Sequence, residues 1–324
     1  MKKRPEHTHI FRHAVLGALA LFACCAQAFA GDPVQHKMLL LDESRSQLLY
    51  VDQAAPDKDW KLAIPSRAWS FQLVGGNRLL LGMTKKGGFL EYDLETKKVV
   101  REVFDAKRYA DTTCAIRFPD GRTAISCNQK HLRIFLFDAQ GRETAALEFP
   151  KLRGARQIRR TGRDTLLFGA GTPARVYEVS LDGKVLREAP LPGGKDIYQV
   201  SELANGNWLA AAGYGGFIAE IDKDGKIVRR WGGKPEPEGV RYFFMSHFQV
   251  LKNGNIAVAT WTGHGAKDSK KGQQVVEFDP AGNIVWKWHD AALAGSIHGV
   301  FILDGLDPAQ FYDDVIAAKG GSEK

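Results

Sequence analysis

The chain has 324 residues, with 45 Lys and Arg against 37 Asp and Glu and a net charge of +8. The positive charge is spread along the chain without a lysine/arginine block, which argues against a nucleic-acid partner. Beyond the first thirty residues no run is long and apolar enough for a transmembrane segment.

The N-terminus reads as a leader. Lys2, Lys3, Arg4 and Arg12 are basic, Ala14 to Ala26 is apolar, and Ala28-Phe29-Ala30 offers a small-residue cleavage site before Gly31. This is the pattern of a cleavable secretory signal peptide over residues 1–30, which predicts a periplasmic or secreted protein. Leu21-Phe22-Ala23-Cys24 loosely resembles a lipoprotein box; Phe22 fits it poorly, so anchoring at Cys24 is the weaker reading. Without the leader 41 basic and 36 acidic residues remain, a net charge of +5.

The next segments, MLLLDESRSQLLYVD and DWKLAIP, are strands with no partner hairpin ahead of them. A strand–turn–strand unit then recurs. It reads WSFQLVGGNRLLLG, CAIRFPDGRTAISC, ARQIRRTGRDTLLFG, QVSELANGNWLAAAG, HFQVLKNGNIAVATW and finally HGVFILDG, with turn glycines 41 to 51 residues apart. A second unit, typified by FLFDAQGRE, AEIDKDGKIVRRW and VEFDPAGNIVWKW, follows each of the first five. The period therefore holds four short strands, the signature of a propeller blade. The last hairpin lacks a second unit and the first strands lack a first unit. Together they complete one blade. The expectation is an all-β, six-bladed β-propeller over residues 31–312, closed by pairing of N- and C-terminal strands, with a loose polar tail at 313–324.

Within the second repeat, Asp120-Gly121 reads as a two-residue hairpin loop. That register sets Cys114 opposite Cys127. In an oxidising compartment the pair is expected to form a cross-strand disulfide; two free buried thiols are the alternative.

FDPAGNIVWKW resembles the Asp-x-x-Gly-x-x-x-Trp repeat of pyrroloquinoline-quinone-like propellers. His247, Asn253-Gly254-Asn255, Asp279, Gly282 and Trp286 together resemble the arylsulfotransferase-like repeat. The second resemblance implies channel histidines in a catalytic role, and His247 and His298 are the positions it touches. The sequence names no cofactor.

Chemistry is sought where irregularities converge. The connector Gly232 to Ser246 and the insertion Trp261 to Gln274 both belong to blade five and are expected on one face. His247 and His298 occupy equivalent places near the start of adjacent innermost strands, toward the channel mouth. They are the candidate catalytic residues. Arg241, Tyr242, Tyr198, Trp69, Trp261 and His264 are the candidate ligand-binding residues. Asp222-Lys223-Asp224-Gly225 lacks the rest of a calcium loop, and no metal site is expected. Neither Gly-x-Ser-x-Gly nor His-Glu-x-x-His occurs. His36 and His131 read as isolated surface or structural residues. Two functions follow as expectations. One is a monomeric propeller binding a small molecule, glycan or protein at its mouth without chemistry. The other is a lyase, hydrolase or group transferase using the channel histidines.

Overall fold

The computed structural model describes residues 34–312 except Ala266. The expected signal peptide at 1–30, Cys24 and the expected tail at 313–324 lie outside the described residues.

The chain forms six four-stranded antiparallel sheets in a ring, a six-bladed β-propeller. The innermost strands of blades one to five are Ala68–Leu73, Thr112–Arg117, Ile158–Arg160, Val200–Glu202 and Met245–Val250. Blade six joins the two ends of the described chain. Its innermost strand Ile297–Ile302 pairs with Lys37–Asp42, which continues outward to Gln47–Asp52 and Trp60–Ala63. Closure removes the open sheet edge that an unclosed ring would leave. No helix among the described residues is long and apolar enough to cross a membrane.

Strand alternation builds the core. Met38, Leu40 and Leu49 face blade five, while Leu39, Leu41 and Leu48 face blade one. Successive side chains point to opposite faces of a blade, so each blade feeds two apolar layers. Six such layers fill the six blade interfaces. Gly299 allows one close approach: a Cβ there would sit 2.3 Å from the Phe71 ring.

The recurring turns carry one extra residue. In the second blade Gly121 N–H donates to the Phe118 carbonyl, Phe118 N–H donates to Arg122, and Gly121 has φ +90. This is a three-residue loop, a type I turn closed by a left-handed glycine. The same bonds recur at Gly206, Gly225, Gly254 and Gly282. Aspartates at 138, 222 and 279 cap the outer turns with their carboxylates.

That extra residue corrects the cysteine pairing. Arg117 pairs with Thr123 and Ala115 with Ile125, so Cys114 lies opposite Ser126 and Cys127 opposite Thr112. Cys114 faces the layer shared with blade three, and Cys127 the layer shared with blade one. Both are buried, and no disulfide joins them. A one-residue slip moves side chains to the other face, and the expected disulfide is not formed.

Candidate functional site

The channel mouth is shaped by bulges. The pairing of innermost and second strands skips a residue at Trp69 in blade one and at His298 in blade six, and skips Ser246 and His247 in blade five. A bulge bends its strand and re-aims the side chain it carries.

Trp69, Tyr198 and His298 meet across the ring. The Tyr198 hydroxyl and the Gln157 amide both donate to the Trp69 carbonyl, from blades four and three to blade one. With its proton so placed, the Tyr198 oxygen accepts from His298 Nδ1 at 2.9 Å. Below this crossing lies Arg159, 2% exposed, which donates to Gln157 and to the Ile158 carbonyl. Side chains therefore bridge the channel and give the mouth a floor.

Burial, reinforced by the positive charges of Arg156, His264 and Arg67, holds the His298 pKa well below its usual value. His298 is thus a neutral imidazole at pH 7. Burial raises the Tyr198 pKa. His247 is held differently. Its Nδ1 accepts from Val300 N–H at 3.4 Å and its ring packs edge-on to Phe71 and Phe301. Burial and the nearby Arg159 charge push its pKa well down too. The two candidate histidines have separate partner sets, His298 at the mouth and His247 in the channel wall.

The insertion in blade five supplies the rim. Trp261 stacks edge-on to both His264, at 4.7 Å, and His298, at 5.4 Å. His264 Nδ1 lies 2.9 Å from Glu43 Oε1, and Trp261 Nε1 donates to Glu43 Oε2 at 3.3 Å. Arg67 Nε sits 3.3 Å from the same Oε1. Glu43 is completely buried, whereas the His264 side chain is 51% exposed. A carboxylate on Nδ1 fixes ring orientation and leaves Nε2 for another partner. Tyr214 and Phe243 continue the aromatic chain, each within 6.5 Å of Trp261. On the far side the Arg156 guanidinium lies 4.8 Å above the Trp69 ring.

Of the residues predicted from sequence, Trp69, Tyr198, Trp261, His264 and His298 come together. Arg241 and Tyr242 do not join them. Arg241 lines an open cavity of about 550 Å³ beside Lys270, Lys271 and His289. Tyr242 is buried in the apolar layer between blades four and five, against Phe278. Sequence reasoning missed Glu43, Arg67, Arg156, Gln157, Tyr214 and Phe243. Glu43 is the residue after the strand-ending Asp42 of blade six, and its loop shares the mouth face with every connector entering an innermost strand. That topological rule was available in the sequence. Among the described residues no three His, Cys, Asp or Glu side chains converge as metal ligands.

No family model and no curated relative matches the chain. Solved structures do. A protein of unknown function from Bacteroides caccae is 20% identical with a TM-score of 0.68, over 82% of this chain and 98% of that one. A streptogramin B lyase is 14% identical with a TM-score of 0.58, over 80% and 85%. The virginiamycin B lyase of Staphylococcus aureus is 11% identical with a TM-score of 0.55, over 81% and 86%. At these identities the likeness is one of fold, and function must be argued from the site.

Proposed function

We propose that this propeller is exported and binds a small organic molecule at its mouth, with no chemistry required. One observation carries the reading. A continuous row of rings, Phe243, Tyr214, Trp261, His298 and Trp69, crosses a mouth whose floor is closed by Tyr198 and Gln157. Aromatic side chains with a few fixed polar groups are the usual lining of a small-ligand site. A thermal-shift screen tests it, since a ligand of the native state raises Tm by mass action. Tyr214 and Phe243 are partly exposed, so Tyr214→Ala and Phe243→Ala leave the core intact. Compounds that stabilise the native protein are expected to lose their effect in these variants. Hits that stabilise all forms equally would place binding elsewhere.

A second reading has its own support. The His264–Glu43 pair has the form of an oriented general base, and lyases are among the proteins sharing this fold. On that reading His264, rather than His247, works at the mouth. A hit compound consumed by the native protein and left intact by His264→Gln would favour it.

A further inference from the structure

We infer that the ligand of this mouth is an anion: a flat apolar body bearing a carboxylate or phosphate head, with the head gripped by the terminal nitrogens of Arg67. This deepens the proposed binding function and rests on it.

The argument starts with how Arg67 is held. Its Nε faces Glu43 Oε1 at 3.3 Å, and its side chain is 37% exposed. Among the described residues no hydrogen bond engages its two Nη groups, and Glu43 is the carboxylate it pairs with. Glu43 is itself held from several sides. It has no exposed surface, and it also engages the Trp261 indole N–H and His264. A planar guanidinium anchored at Nε presents its two remaining nitrogens as a fork, the geometry that grips a carboxylate or phosphate with two parallel hydrogen bonds.

The surrounding charges favour the same occupant. Arg156 sits on the Trp69 face, with one Nη 3.6 Å from Asp196. Lys195 lies 5.6 Å over the Tyr214 ring. The fixed cations at the mouth are Arg67, Arg156 and Lys195; Glu43 pairs with Arg67 and Asp196 with Arg156, and the charge of Arg156 also acts on Asp111. Of these carboxylates, Glu43, the one beside Arg67, is sealed from solvent. An incoming molecule therefore meets guanidinium edges and ring faces. Those rings suit a flat body: Trp69 is half-buried under the Arg156 guanidinium, and Tyr214 packs against Phe243 with both rings partly exposed. Neutral His298 beneath adds no competing charge.

The test uses the mature protein and three probes with one apolar body, 2-naphthoate, 2-naphthyl phosphate and neutral 2-naphthamide. Binding is read by quenching of tryptophan fluorescence and by thermal shift. The two anions are expected to bind about 10- to 100-fold more tightly than the amide, the factor a charged bidentate contact supplies. Arg67→Gln should remove most of the anions' advantage over the amide and change amide affinity far less than anion affinity. Arg156→Gln, which leaves the Glu43 contacts untouched, should weaken the anions several-fold and guards against misfolding of the first variant. Carboxylate against phosphate preference identifies the head group. Equal affinity for all three probes overturns the anion assignment and leaves the mouth a binding site. Anion binding that survives both substitutions also overturns it. Absence of any binding at millimolar probe overturns it as well. The binding function itself fails only if screening hits are indifferent to Tyr214→Ala and Phe243→Ala.

Discussion

His36 offers the sharpest quantitative test of how the ring is held shut. It lies just before the first strand of blade six and is 8% exposed. Its Nδ1 is 2.5 Å from Asp304 Oδ2 at the end of the closing strand, and its Nε2 is 2.8 Å from Glu277 Oε2 in blade five. Trp286 packs edge-on at 4.6 Å. One imidazolium thus ties the two halves of blade six to each other and to the neighbouring blade. Burial works to lower the His36 pKa, but the hydrogen bonds and charges of Glu277 and Asp304 outweigh it and hold the pKa above 6.5. Burial works to raise the Glu277 pKa, yet His36 and Asn255 hold it below 4.5.

The signs follow from linkage. The raised histidine contributes stability that is complete below 6.5 and lost as pH rises through its folded value. The depressed carboxylate contributes stability that is complete above 4.5 and lost as pH falls through its folded value. Both contributions coexist between 4.5 and 6.5. Removing one member of a buried pair costs about 3–5 kcal/mol. Asp304 is 39% exposed, so its share is discounted and about 3 kcal/mol is the working figure. For a domain of this size that is roughly 5 °C in Tm. His36→Ala should show this loss near pH 5.5 and a clearly smaller one once pH has passed the raised imidazole value. Adding Glu277→Gln should recover part of it, because no buried charge is then stranded. Equal losses at about pH 5.5 and about pH 9.5 would refute the argument, since an uncharged histidine cannot bridge two carboxylates as an imidazolium does.

Three further outcomes are expected. Deleting residues 297–324 removes the innermost strand of the closing blade and should abolish cooperative unfolding; an unchanged melting transition would contradict the closure. Cys114 and Cys127 should both be alkylated in unreduced, denatured protein and resist alkylation in the native state, where burial pushes the Cys127 thiol up to about 12; a mass two protons lighter would contradict their placement on opposite faces. Gln249 donates to the Ile302 carbonyl at 3.1 Å and accepts from the Ile302 N–H at 2.6 Å. Gln249→Ala should cost about 1–3 kcal/mol because that N–H and carbonyl are left buried and unpaired, read as a lower urea midpoint at unchanged slope.

The blade count and the closing blade were legible because they rest on period and on what each chain end lacks, and neither depends on register. Register was where the reading failed. The sequence Phe118-Pro119-Asp120-Gly121 carries a proline suited to the second position of a type I turn, and with the left-handed glycine it makes a three-residue loop. Treating Asp120-Gly121 as the whole loop displaced the pairings by one, and by two beyond the bulge at Thr113, and put two cysteines on one face. Likewise Trp69, His247 and His298 could be placed near the mouth by counting, but only the bulges decide that Trp69 and His298 turn into it. The glutamines at 72, 199 and 249 had a visible signal, recurring after an aromatic residue and before an aliphatic one. Each bridges to the backbone of the next blade's innermost strand, a role that only the ring geometry assigns.

The mouth and the closure share residues. Glu43 and His298 belong to blade six, the blade built from both ends of the described chain, and the Glu43 N–H donates to the Ser296 carbonyl at 3.0 Å. Thr262 of the blade-five insertion bonds Ser296 at 2.9 Å. The carboxylate that orients His264 and Arg67 is therefore in place only when the N-terminal strands have docked on the last strand. Long-range pairings of this kind form against the largest loop-closure entropy in the chain. The groups at the mouth are scattered over sequence positions 43 to 298, and no shorter fragment of the ring brings Glu43, Arg67, His264 and His298 together. Loosening blade six, by raising pH past the His36 pKa or by substituting His36, should therefore weaken the mouth before it unfolds the remaining blades, because the same strand that closes the ring also carries His298.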